Sequence, residues 1–280
     1  MLGNCEYRYL LITIAVIICI DLILTLSKIR NKDIFETMYY GACDASAELA
    51  QKDGPYESYP GSPASNGMLQ YDLWGVDPSP MWDWVKLKKK IRLFGLRNSL
   101  LLAPMPTATT AQVLGSSEGT DPLLSNVYNR RVDAGEFIVA NRYLVKKLSA
   151  IGLWTDEVRN MIVANRGSIQ SMSIIPDGVR SVFKTAWEIP QRVVLDMAAD
   201  RGAFVCQSQS TNVYMANPTI AKLTSLHFHS WAIGLKTGMY YLRTRPKADP
   251  IHVNIDTAGG HALGKSECNG DGDLCSSCGA

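Results

Sequence analysis

The sequence predicts an α/β fold, and three observations carry that prediction. Asn98 to Pro104 encloses Leu100-Leu-Leu-Ala103, a short continuous apolar run of the kind that forms a strand covered on both faces. Directly before it, Trp82 to Phe94 has helical spacing and is closed by Gly95, so helix and strand make one half of an α/β repeat. With 46% hydrophobic residues over 280 positions, the chain has enough apolar surface for a sizeable core.

Composition excludes some classes of function. A net charge of +2, with acids and bases mixed along the chain, gives no electrostatic footprint for nucleic acid. The seven cysteines, Cys5, Cys19, Cys43, Cys206, Cys268, Cys275 and Cys278, are odd in number and unevenly spaced. That does not suit a secreted disulfide framework, and it points to a reducing, cytoplasmic setting.

In chain order, residues 1–30 come first. Leu10 to Leu26, "LLITIAVIICIDLILTL", is almost wholly apolar and close to the lower limit for a membrane-spanning helix, with Asp21 as its one charge. Lys28, Arg30 and Lys32 follow it and Arg8 alone precedes it, which would leave the rest of the chain in the cytoplasm. Either this apolar helix anchors the protein or the segment belongs to no folded unit. Ile34 to Lys52 has helical spacing, with Ile34, Met38, Ala42, Ala45 and Leu49 on one stripe, and Gly54-Pro55 ends it. Residues 54–80 are rich in proline and glycine and read as a long ordered loop around "YDLW". On the next helix, Lys86, Lys88, Lys89, Lys90 and Arg92 form a solvated basic face.

After the apolar run stands "MPTATT", Met105 to Thr110, leading into a helix at about Thr110 to Leu114. Proline and threonine stop strands, and that alone would account for the turn. Backbone N–H groups and hydroxyls at the carboxyl end of a strand, feeding a helix, are also an anion site that needs no formal charge. Further on, Asn141 to Ala150 and Thr155 to Ala164 read as helices separated by Gly152. Pro176 to Ala203 reads as a longer helix with Val182, Ala186, Ile189, Val193 and Met197 on one face, interrupted by Pro190. Pro218 to Gly234 is another helix, Met239 to Arg243 a strand, and residues 254–280 a Gly-, Ser- and Asp-rich flexible tail ending in "CSSCGA". His227 and His229 alternate on a helix and so diverge, which disfavours a metal. His261, Cys268, Cys275 and Cys278 could in principle supply four zinc ligands, but their first spacings fit no common finger, and no metal site is expected.

Seven stretches stand in order: "FETMYYGACDASAELA", "GPYESYPGSPASNGMLQYDLW", "GLRNSLLLAPMPTATTAQVLG", "SNVYNRRVDAGEF", "RGAFVCQSQS", "KTGMYYLRTRP" and the terminal CxxC. Together they resemble the C-terminal part of the large, catalytic subunit of class I ribonucleoside-diphosphate reductases of eukaryotic and viral type. The likeness runs from about Asn31 to Ile251 and resumes at Cys275 and Cys278.

The resemblance implies part of a ten-stranded α/β barrel over residues 31–253, from an enzyme that reduces the 2′-hydroxyl of a ribonucleoside diphosphate by radical chemistry. On that pattern Pro106, Thr107, Ala108, Thr109 and Thr110 hold the substrate's phosphates. Tyr240 and Tyr241 relay the radical from a small subunit whose di-iron/tyrosyl-radical centre is the source. Cys275 and Cys278 form the tail dithiol that re-reduces the active site and is itself reduced by thioredoxin or glutaredoxin. The chain is expected to bind no cofactor of its own.

The resemblance also implies departures. The family's thiyl-radical cysteine, its two redox cysteines and its allosteric nucleotide sites lie upstream of the matched region, and Cys206 stands where the family usually has an acidic residue. The expectation is therefore a fragment that is inactive alone, with open sheet edges that need the N-terminal barrel half from another polypeptide. The alternatives are a non-catalytic module that binds the small subunit or thioredoxin, with or without a membrane tether, and a relic.

Overall fold

The computed structural model describes residues 25–132 and 135–245. Its first element, α1 (Thr25–Asp53), is the long helix expected from Ile34 onward, extended by nine residues at its start. Its buried face is Phe35, Tyr39, Cys43 and Ala47, one position on from the predicted stripe; Ala45 and Leu49 are exposed. The rotation follows from the partners, because aromatic side chains after residue 68 pack on the Phe35–Tyr39 side.

The loop at 54–80 is ordered as expected and carries two short helical pieces, a 3-10 turn at Ala64–Asn66 and α2 (Gln70–Trp74), the latter formed by "YDLW". Asp72 caps α2 by accepting from the Leu69 N–H at 2.7 Å, and Lys88 Nζ bonds the same carboxylate. Next comes α3 (Trp84–Phe94), capped by Asp83, which accepts from the Lys86 N–H at 2.9 Å. Trp84, Leu87 and Ile91 face α1; of the expected solvated basic face, Lys86, Lys89 and Arg92 are exposed, whereas Lys88 is paired with Asp72 of α2 and Lys90 with Asp44 and Glu48 of α1.

The run expected as a doubly covered strand is not paired into a sheet. Leu102 O accepts from the N–H groups of Cys206 (3.1 Å) and Gln207 (3.2 Å), and Pro104 O from Ser210 N–H (3.0 Å), so residues 206–210 follow one edge. Leu101 and Leu102 pack on the core, but Leu100 remains 53% exposed. An apolar run is buried on both faces only where two layers cover it, and among the described residues only one does. α4 (Ala108–Leu114) then starts two residues before its expected position.

An antiparallel hairpin that the sequence reading missed, β1 (Val127–Val132) and β2 (Gly135–Ala140), pairs Val127 with Ala140 and Val132 with Gly135. Two helices follow as predicted. α5 (Arg142–Ala150) is capped by Asn141, and α6 (Asp156–Ala164) by Thr155. With the hairpin's start and residues 169–183 they enclose a second core around Leu144, Leu148, Ile162, Ile169 and Ile175.

The predicted helix over 176–203 is two helices, α7 (Asp177–Val182) and α8 (Gln191–Gly202). Pro190 stands at the N-cap of α8 with φ −58° and ψ 124°, where its missing N–H is no loss. It is a start signal and marks no damage to the chain. α8 packs against α1, and Val194, Met197, Phe204 and Val205 complete the first core. The last elements are β3 (Val213–Tyr214), α9 (Ile220–Ala232) and β4 (Leu242–Arg243), with β3 and β4 parallel.

The architecture is thus α/β, but no closed barrel forms among the described residues, whose sheets are these two pairs. No helix among the described residues is long and apolar enough to cross a membrane. The apolar segment Leu10 to Leu26 lies outside the described residues except for its last two positions, which open α1.

Candidate active site

The loop Pro106 to Thr110 stands on the surface at the start of α4. Thr107 occupies the N-cap with φ −125° and ψ 29°, yet no side chain caps the first turn. Its hydroxyl instead accepts from the Gly119 N–H at 2.7 Å, pinning the turn that follows α4 back against the loop. Thr109 and Thr110 are exposed. The sequence-predicted phosphate loop is therefore a solvent-facing helix start braced from behind.

That brace continues inward. Asp121, buried, places one carboxylate oxygen 2.6 Å from Asn212 Nδ2 and 2.7 Å from the Tyr214 hydroxyl. Burial raises its pKa above the usual carboxylate range, and it also drives the Tyr214 phenol upward. Arg201, fully inside, donates to Thr120 Oγ1 (3.0 Å), Gln209 Oε1 (2.6 Å) and Asn31 Oδ1 (3.4 Å). Desolvation brings its pKa down to about 10, so the guanidinium is still charged at neutral pH. A cavity of about 300 Å3 runs along α4, lined by Ala108, Ala111, Glu118, Asp121, Tyr128 and Tyr214.

Beyond this network stand the two predicted relay residues. Tyr240 and Tyr241 are half exposed, with ring centroids 4.3 Å apart and planes inclined by 63°. The neighbouring Tyr241 phenol raises the Tyr240 pKa. The Tyr240 N–H donates to Thr211 O (2.8 Å) and Val213 N–H to Tyr241 O (2.9 Å), so the pair hangs on the strand that carries Tyr214. The loop at 106–110 and the tyrosine pair are therefore linked through half-buried Thr120 and the buried side chains of Asp121, Arg201 and Asn212, which the sequence reading did not single out. The signal available was the polar run Gln207 to Asn212 directly after the buried "AFV", since polar residues inside a core must be bonded.

The remaining candidates fall elsewhere. The tail dithiol Cys275 and Cys278, with His261 and Cys268, lies outside the described residues. Cys43 is buried beneath Tyr39, and desolvation raises its pKa. Cys206 Sγ accepts from the Leu101 N–H at 3.4 Å, while Lys236 Nζ bonds the carbonyls of Val205 and Cys206. His229 pairs with Asp196 at 2.8 Å. Among the described residues no group of three or more His, Cys, Asp or Glu side chains converges as a metal site would require.

A family model described as "Ribonucleotide reductase, barrel domain" matches residues 27–241. The large subunit of ribonucleoside-diphosphate reductase from Vaccinia virus (strain Copenhagen) is 58% identical over 226 residues, which are 81% of this chain and 29% of that protein. The Dictyostelium discoideum large subunit is 59% identical over 227 residues, 81% of this chain and 26% of that one. Among solved structures, the Actinobacillus ureae class Id ribonucleotide reductase alpha subunit superposes with a TM-score of 0.60 at 27% identity, over 80% of this chain and 35% of its own. The chain spans a quarter to a third of the length of these relatives. A match that long, carrying the loop, the hairpin and the tyrosine pair in order, shows that the chain belongs to the ribonucleotide reductase family, in its barrel domain.

Proposed function

We propose that this chain supplies the phosphate-gripping and radical-relaying part of a ribonucleoside-diphosphate reductase large subunit, and that turnover requires further polypeptide to complete the barrel. The observation that carries the reading is the series of hydrogen bonds that runs, by way of the turn at 119–121, from the loop at 106–110 to Tyr240 and Tyr241.

At the loop, the uncapped first turn of α4 offers backbone N–H groups and the positive end of a short helix to a diphosphate, with the hydroxyls of Thr109 and Thr110 beside them. Thr107 keeps its own hydroxyl on Gly119 and so holds the turn in shape. At the other end, phenols whose rings are in contact suit transfer of an electron together with a proton over a short distance. The hole would arrive from the partner small subunit, whose di-iron/tyrosyl-radical centre is the source. Cys275 and Cys278 are proposed as the dithiol exchanging with thioredoxin or glutaredoxin, since a CxxC suits disulfide exchange. The exposed Leu100, Met105 and Val113, beside the uncovered edge of the 98–104 run, are where the rest of the barrel would pack.

The test is reconstitution. The purified 280-residue chain with small subunit and dithiothreitol should form no deoxynucleotide. Addition of a polypeptide carrying the upstream barrel half of a relative should restore turnover, and calorimetry should detect inorganic diphosphate binding that is weakened when Thr109 and Thr110 are both changed to Val. Robust turnover by the chain alone, or diphosphate affinity indifferent to the loop, would refute the reading.

A further inference from the structure

We propose that Asp121 is the positioning residue for the Tyr240–Tyr241 pair. The inference rests on the relay reading given above, but its test does not use turnover.

The tyrosines immediately precede β4, whose ladder is too short to place them. β3 and β4 are two residues each, paired only at Val213 with Leu242 and Tyr214 with Arg243. So short a ladder does not set position by itself. Tyr240 lies just outside it and is 48% exposed, so core packing does not set its place either. What remains is the segment 211–214, to which the Tyr240 N–H and the Tyr241 carbonyl are bonded.

That segment is held by Gln191, whose Oε1 accepts from the Tyr214 N–H at 2.8 Å, by the burial of Val213, and at both Asn212 and Tyr214 side chains by Asp121. A single buried oxygen accepts from Asn212 at 2.6 Å and from Tyr214 at 2.7 Å, so one atom holds two side chains of the segment. The Asp121 turn is itself held from two sides. Arg201 bonds Thr120, and Gly119 bonds Thr107 in the phosphate loop. The carboxylate thus lies between the loop and the phenols, and it fixes where the second stands relative to the first. Reacting groups need placement to within about 0.5 Å, and only groups locked by packing and hydrogen bonds achieve that.

The experiment is the 19F spectrum of the full chain with 3-fluorotyrosine at position 240. Asp121→Ala and Tyr214→Phe should each displace the resonance, and the two together should displace it no further than Asp121→Ala alone. Asp121→Asn, which keeps an oxygen acceptor, should return it part of the way. Leu148→Ala, in the separate second core, should lower the melting temperature and leave the resonance in place. Wild-type resonances in Asp121→Ala and Tyr214→Phe, or an equal displacement by Leu148→Ala, would overturn the assignment. If Asp121→Ala does not fold, Tyr214→Phe decides. A displaced resonance in a reconstituted enzyme that tolerates Tyr240→Phe would remove the relay and leave the positioning intact.

Discussion

The Tyr240 and Tyr241 rings meet with centroids 4.3 Å apart, and each residue's backbone bonds the same neighbouring strand segment. If that pair relays a hole, Tyr240→Phe removes the phenolic proton that would leave with the electron at that position. Turnover of the completed enzyme should fall at least about 100-fold, while the melting temperature moves by no more than about 1 °C because the hydroxyl is exposed. Stopped assays and a thermal melt on the same preparation check both.

Thr107→Val should act on the loop alone. It leaves the Gly119 N–H without its acceptor, at a cost of about 1 kcal/mol, and frees the turn behind α4. The expected outcome is diphosphate affinity about five-fold weaker by calorimetry, since 1 kcal/mol corresponds to about that factor.

Glu36 anchors the junction of α1 with the loop at 54–80. Its Oε1 accepts from Ser79 N–H (2.9 Å), Ser79 Oγ (3.0 Å) and Trp84 Nε1 (3.1 Å), all at a buried site. Glu36→Ala strands these donors and should lower stability by about 2–4 kcal/mol in urea unfolding. Glu36→Gln, which keeps a carbonyl oxygen, should cost less.

Gly167 has φ +77°, and a Cβ there would run into Ser125 Oγ and lie 2.8 Å from the Asn126 backbone nitrogen. Both strain and clash oppose any side chain. Gly167→Ala should destabilise the second core by about 2–4 kcal/mol, read as a lowered melting temperature.

Asp121 should also show itself in the pH dependence of stability. Burial raises its folded pKa above the ordinary 3.8, partly offset by the Asn212 and Tyr214 hydrogen bonds, with Glu118 adding to the rise and Arg201 opposing it. The folded state therefore holds a proton that the unfolded state has released, so this group's contribution is full below the unfolded value and is lost as pH rises through the folded one. The stability difference between wild type and Asp121→Asn should be largest below the unfolded value of 3.8 and shrink as pH rises above it. Urea midpoints at four pH values measure it; a difference that grew with pH would contradict the sign.

Periodicity and stop signals made α3, α5, α6 and α9 legible to within two residues, because Asp83, Asn141, Thr155 and Thr219 are capping residues placed just ahead of amphipathic runs. Pro190 interrupts the helical pattern over 176–203, and the structure makes it the N-cap of a new helix that begins at Gln191. The hairpin at 127–140 was missed because its residues, Asn129, Arg130 and Arg131 among them, are too polar to alternate cleanly. The loop and the tyrosine pair were legible as motifs because both are contiguous in the chain.

By itself, then, the amino-acid order determined local structure and family, since caps, glycines and contiguous motifs act over a few residues. Tertiary structure decided which face of α1 is buried, that the 98–104 run lacks a second layer, and that Asp121 meets Asn212 and Tyr214 from some ninety positions away. Buried polar contacts of that kind depend on which distant segments desolvate one another, and no local pattern encodes that.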